Sequence, residues 1–131
     1  MSHFSQIKTQ LRQLTPLQKA LTDLGVDWKG GAVGGEVTVR GHQGQQVAAA
    51  IAIPQSNGYD IGFRWNGEAY ELVADLQYWA QPLTVEGFLR KVTQRYAYQA
   101  VVTEAENRGF ALTETVSQAD GSVRVVLQRW A

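Results

Sequence analysis

The chain has 131 residues, 44% hydrophobic and 18% charged, a balance that suits one folded domain and excludes a disordered segment. Twelve basic residues offset twelve acidic ones, so no net charge draws the whole chain to nucleic acid or an anionic membrane. It has no cysteine, which excludes disulfides, zinc–cysteine and iron–sulfur ligation by this chain, and a thiol nucleophile.

The opening MSHFSQIKTQLRQL lacks an apolar h-region and a small-residue cleavage site, so no signal peptide is expected. No apolar run approaches the ~18 residues that a membrane-spanning helix needs. Residues 3–11 read as a strand. Thr15-Pro16 predicts a helix over 16–24, capped by the Thr15 hydroxyl, with Leu17, Leu21 and Leu24 inward and Gly25 as its stop. The glycine-rich GVDWKGGAVGG lacks the Gly-Lys-Ser/Thr of a phosphate-binding loop, and a strand rather than a helix follows it. A flexible connection, including residues 30–35, is the expectation.

Residues 36–41 and 45–54 predict two strands, the second apolar on both faces and therefore interior. In DIGFRWNGEAYELVA, Asn66-Gly67 predicts a two-residue hairpin turn. That turn sets Trp65 opposite Glu68, Phe63 opposite Tyr70, Ile61 opposite Leu72 and Tyr59 opposite Ala74. One face becomes aromatic, while Arg64 lies diagonal to Glu71 within ion-pair reach. Such a face is ordinarily core, but Tyr59, Phe63, Trp65, Tyr70 and Arg64 are also the residues that would line a small-ligand pocket. Tyr78 and Trp79 fall in the connection DLQYWAQP, where large aromatics either plug the core or meet a partner.

Residues 84–108 predict a long helix that starts at Thr84 and is stopped by Gly109. Val85, Phe88, Leu89, Val92, Tyr96 and Ala100 gather on one face, whereas Tyr98, Val101, Val102 and Ala105 gather nearly opposite. A sheet cannot cover both stripes of a straight helix, so the second needs the first helix, a loop or another molecule. Arg90, Lys91 and Arg95 make a basic cluster beside it. FALTETVSQADGSVRVVLQRW predicts a last hairpin around Asp120-Gly121, with Phe110, Leu112, Val116, Val123, Val125 and Leu127 on one face and Trp130 exposed.

The order is β-α-β-β-β-β-α-β-β. It predicts a single α+β domain of two layers: a mostly antiparallel sheet of about six to seven strands, with both helices on one face. His3 and His42 are isolated in the sequence and predict no metal site. There is no Gly-x-Ser-x-Gly elbow, and Asp60, Glu68, Glu71 and Asp75 do not converge in the expected register. No catalytic residue or cofactor is assigned.

SHFSQIKTQ, ALTDLGVDWK, NGYDIGFRWNGEAYELVADLQYW and VEGFLRKVTQRYAY, with the ending VVLQRW, resemble the hypothetical chloroplast reading frame 35 family over nearly the whole chain. Members are small proteins of cyanobacteria and algal plastids carrying a domain of unknown function. The resemblance implies cyanobacterial cytosol or plastid stroma and an accessory role in photosynthetic cells, and assigns no catalytic residue. The expectation is a non-enzymatic interaction protein, engaging a protein partner or its own copy through the second stripe, the basic cluster and the Tyr78-Trp79 loop. A small-ligand or pigment-binding module on the aromatic hairpin face is the alternative, and neither nucleic acid nor a membrane span is expected.

Overall fold

The computed structural model describes residues 3–31, 35–120 and 122–129, apart from the side chains of Thr113, Glu114 and Ser117. The expected tip Gly121, the exposed Trp130 and the centre of the glycine-rich loop lie outside the described residues. In chain order the elements are β1 (Ser5–Ile7), α1 (Leu14–Asp23), β2 (Lys29–Gly30), β3 (Val37–Arg40), β4 (Gln46–Ala49), β5 (Ile51–Pro54), β6 (Asp60–Trp65), β7 (Tyr70–Ala74), α2 (Val85–Asn107), β8 (Phe110–Ser117) and β9 (Val123–Arg129). The α+β class, the two helices and the antiparallel pairing are as the sequence predicts. The strands, however, divide among three sheets: β1-β7-β6-β5-β2, β3-β4 and β8-β9.

Alternation along the five-stranded sheet sends Ile51, Ile53, Ile61, Phe63 and Leu72 to one side. There they join Leu11, Leu17 and Leu21 from the α1 segment and Phe88 and Val92 from α2 in the main core. Each such side chain contributes about 1.5–3 kcal/mol by leaving water. Both helices thus cover one face. Ala52, Gly62 and Val73 point the other way, and there the β3–β4 hairpin is laid over the sheet as a third, smaller layer. Val39, Ala49 and Ala52 form its core, with Phe4, Val37 and Val47 around them. A Cβ at Gly62 would stand 2.5 Å from Val39 Cγ2, so the approach of the hairpin requires glycine there. Asp60, buried at the start of β6, fastens the edge of that layer. Its Oδ2 accepts from Arg40 N and Nε at 2.9 and 3.0 Å, and its Oδ1 from Arg40 Nη2 at 2.9 Å.

Several expectations are corrected. The run 45–54 is not one strand: it bends at Ala50, so that β4 pairs with β3 and β5 with β6 and β2. The β6–β7 register is two residues from the expected one, with Phe63 opposite Leu72 and Trp65 opposite Tyr70. The Asn66 side chain is the cause. Its Oδ1 accepts from both Glu68 N and Ala69 N at 2.9 Å, which closes a four-residue turn and puts Glu68 in the loop. A shift of two preserves the faces. Arg64 is now directly opposite Glu71, and the expected ion pair forms at 2.8 Å.

Helix α1 is capped at Gln13 rather than Thr15, and the Gln13 side chain makes no cap bond. The Tyr96 hydroxyl of α2 instead accepts from Arg12 N and Gln13 N at 3.1 and 3.0 Å, so one helix supplies the other's missing acceptor. Helix α2 begins as expected, with Thr84 Oγ1 accepting from Gly87 N at 3.1 Å. Gly25 and Gly109, at φ +73° and +85°, follow the two helices as their sequence positions predict.

Candidate functional site

The apolar stripe of α2 changes sides, and the structure shows what meets each half. Phe88 and Val92 are buried in the main core, with Leu89 and Tyr96 packed against it. The second half is met by β8–β9, which leaves the main sheet to form a sheet of its own beside α2. An irregularity between Leu112 and Glu114 sets the face of that hairpin. Beyond it Thr115 pairs with Val125, while Val116 pairs with Arg124, so Val116 is not on the Val123–Val125–Leu127 side where alternation alone would put it. Tyr98 OH lies 3.4 Å from Thr115 Oγ1 across the gap.

This cover is incomplete. Val102 and Ala105 are buried, but Val101 is 49% exposed, and Leu112 of β8 is 37% exposed. Val101 stands between two clefts. One, of about 460 Å³, is lined by Ala100, Ala105, Phe110 and Leu127 with Glu104 and Arg108 at its edge. The other, of about 360 Å³, lies among Ala97, Tyr98, Val123 and Val125, with Gln94, Asp120 and Ser122 as its polar lining. Together they make an apolar groove between α2 and the last hairpin, with Val101 at its middle.

The three basic residues beside the stripe behave differently. Arg95 Nε donates to Asp23 Oδ2 at 2.7 Å, and its guanidinium lies 4.0 Å over the Tyr98 ring, so it joins α2 to α1. Burial acts to raise the Asp23 carboxyl. Hydrogen bonds from Arg95 and Gln99, with the charges of Arg95 and Lys19, more than offset this and hold it below the usual carboxylate value. Arg90 and Lys91 are exposed, and neither forms an ion pair with another described residue.

Tyr78 and Trp79 are both half-buried. Trp79 sets its ring edge-on to Phe88 at 5.5 Å and donates from Nε1 to Leu83 O at 2.8 Å, plugging the core beside α2. Tyr78 turns to the other layer and stacks on His42 at 4.7 Å, with Tyr59 at 4.6 Å from Tyr78. His42 Nδ1 lies 3.3 Å from Tyr59 OH and Nε2 3.4 Å from Tyr78 OH. A neutral imidazole has one donor and one acceptor nitrogen, so one phenol accepts and the other donates. Gln55 fixes the loop by donating to Tyr59 O and Tyr78 O and accepting from Ala80 N. Asp75, buried nearby in sequence, accepts from Gln77 N through Oδ1, while its Oδ2 has no hydrogen-bond partner among the described residues. Residue spacing offered no signal for this cluster, because His42, Tyr59 and Tyr78 come from three separate connections.

The five residues of the aromatic hairpin face are not brought together as one wall. Phe63 is wholly sealed beneath the helices. Trp65 is 48% exposed near the turn and packs on Tyr70 at 5.0 Å. Tyr59 belongs to the His42 cluster, and Arg64 is on the other side with Glu71. Burial, with the nearby Tyr96 phenol, raises the Tyr70 pKa. Among the described residues, no group of three or more His, Cys, Asp or Glu side chains is placed to hold a metal ion, and no helix is long and apolar enough to cross a membrane.

Fold and groove together define a small α+β protein whose antiparallel layers leave one side of a long helix partly uncovered. The chain belongs to the family described as "Protein of unknown function (DUF1257)", whose model matches residues 20–126. It is 49% identical over 131 residues to the "Uncharacterized protein ycf35" of Guillardia theta, spanning 99% of this chain and 98% of that relative. Relatives of the same description from Pyropia yezoensis and Cyanophora paradoxa are each 42% identical over 130 residues, again spanning 99% of this chain and 98% of the relative. No solved structure matches the chain.

Proposed function

We propose that this protein is a non-enzymatic accessory factor that docks a protein partner in the groove between α2 and β8–β9. The observation that carries the reading is Val101, a large aliphatic side chain half open to water at the middle of an apolar groove. The fitting partner is a segment with an apolar anchor at Val101 and an acidic residue only toward Arg90, since Glu104 and Asp120 already line the groove itself. Arg90 precedes Val101 by eleven residues, or about three helical turns, and so falls on the same line of α2 with its charge unpaired among the described residues. The setting that goes with this reading is the cytosol of a photosynthetic bacterium or the plastid stroma.

The test has two stages. A photo-crosslinking residue at Val101 identifies the partner in native extract, and that partner, purified, is then titrated onto the chain. Val101→Glu should weaken the affinity by about tenfold or more, since a carboxylate would be buried against apolar surface, while Gln10→Glu on an exposed connection should leave it unchanged. Equal affinity of both variants for the purified partner would refute the groove as the docking site.

A further inference from the structure

A third cleft, sharing no residue with the groove, lies where the end of α1, the end of β5 and the start of α2 meet. Its volume is about 470 Å³, within the roughly 300–1,000 Å³ of small-ligand sites. Ile53 and Phe88, both buried core residues, make the floor. Leu24 and Leu83 rise as walls, and each is exposed by more than a third, so their apolar surface is spent on the cleft rather than on the core. Lys91, three residues after Phe88 on α2, lines the same cleft and contributes the one ammonium among its lining residues. Asp27 contributes a carboxylate from the segment after α1. Neither charge is in an ion pair with another described residue.

We infer that this cleft is a binding site for a small zwitterion with an apolar body, of the class of α-amino acids with branched or aromatic side chains. An apolar floor bordered by a few polar groups is the general make-up of such sites. The sign of those groups selects the ligand. A simple apolar acid would meet Asp27 as well as Lys91, and a simple amine the reverse. A head bearing both charges is attracted by both residues, while its side chain displaces water from Ile53, Phe88, Leu24 and Leu83. The site is separate from the docking groove, so either reading can fail without the other.

The experiment is an NMR titration of the full chain with L-phenylalanine and L-leucine. Saturable shifts are expected at residues 24–27 and 88–91. Lys91→Met and Asp27→Asn, both at exposed positions, should keep the unfolding temperature and each weaken binding about tenfold or more. Phenylacetate and phenethylamine, each with one charge only, should bind more weakly than L-phenylalanine. Absence of saturable shifts with both amino acids, phenylacetate binding as tightly as L-phenylalanine, or undiminished binding by both variants would each overturn the inference.

Discussion

Gly62→Ala isolates the contact that lays the β3–β4 hairpin on the sheet. The added methyl would stand 2.5 Å from Val39 Cγ2, whereas carbon atoms settle at about 3.5–4.0 Å. About 1 Å must be recovered by turning a fully buried valine or lifting the hairpin, which costs ~1–3 kcal/mol for overpacking. Loss of glycine's backbone freedom returns up to about 1 kcal/mol by narrowing the unfolded ensemble, so the net loss should be ~0.5–2 kcal/mol. With a urea slope of about 2 kcal/mol per molar, the midpoint should fall by roughly 0.3–1 M. Val39→Ala alone also destabilises by opening a gap. In the double variant the two changes should compensate, leaving it more stable than the sum of the singles by about 1 kcal/mol. Urea melts of the four proteins decide it. A neutral Gly62→Ala, or singles that add to within about 0.5 kcal/mol, would refute the close approach of the two layers.

Two further expectations concern the helix face of the sheet and the junction of the helices. Phe63→Ala should cost about 3–5 kcal/mol and Trp65→Ala far less, although both lie on one face of β6, because only Phe63 is sealed beneath α1 and α2. Comparable urea midpoints for the two variants would contradict that placement. Asp23→Asn should destabilise at neutral pH by under about 1 kcal/mol, since its pair with Arg95 is only partly buried and is screened. The folded Asp23 carboxyl lies below its usual 3.8, so the unfolded chain binds the proton more readily. Its contribution is therefore complete above the unfolded value and is lost as pH falls through the lower folded one. The gap between wild type and Asp23→Asn should close over that acid range, and a gap that widened there would reverse the assignment.

Local chemistry was legible where it repeats at short range. The stops at Gly25 and Gly109, the Thr84 cap and the alternating faces of β6 and β7 follow from residue type and spacing. Arg64 and Glu71 survived the register error because a slip of two keeps both on one side. What escaped were long-range substitutions of one group for another. A phenol on α2 caps α1, and an asparagine amide lengthens a turn that its Asn-Gly pair would otherwise make short. The change of stripe along α2 was legible, yet its cover was not. β8–β9 has the alternation of any sheet strand, and nothing in its pattern says that, among the described residues, it forms a two-stranded sheet leaning on a helix. The His42–Tyr59–Tyr78 cluster was equally hidden, since its members meet only after three connections fold onto one corner.

Whether the groove at Val101 is a working surface is tested most directly by its accessibility in the cell's own mixture. The chain has no cysteine, so Val101→Cys creates a unique label site, with Gln10→Cys as an exposed control. In purified protein both thiols should react with a maleimide at similar rates. In gently lysed extract of the source cells, position 101 alone should slow by about tenfold, the protection given when roughly nine-tenths of the chain is bound. Equal labelling of the two positions in extract would contradict the account.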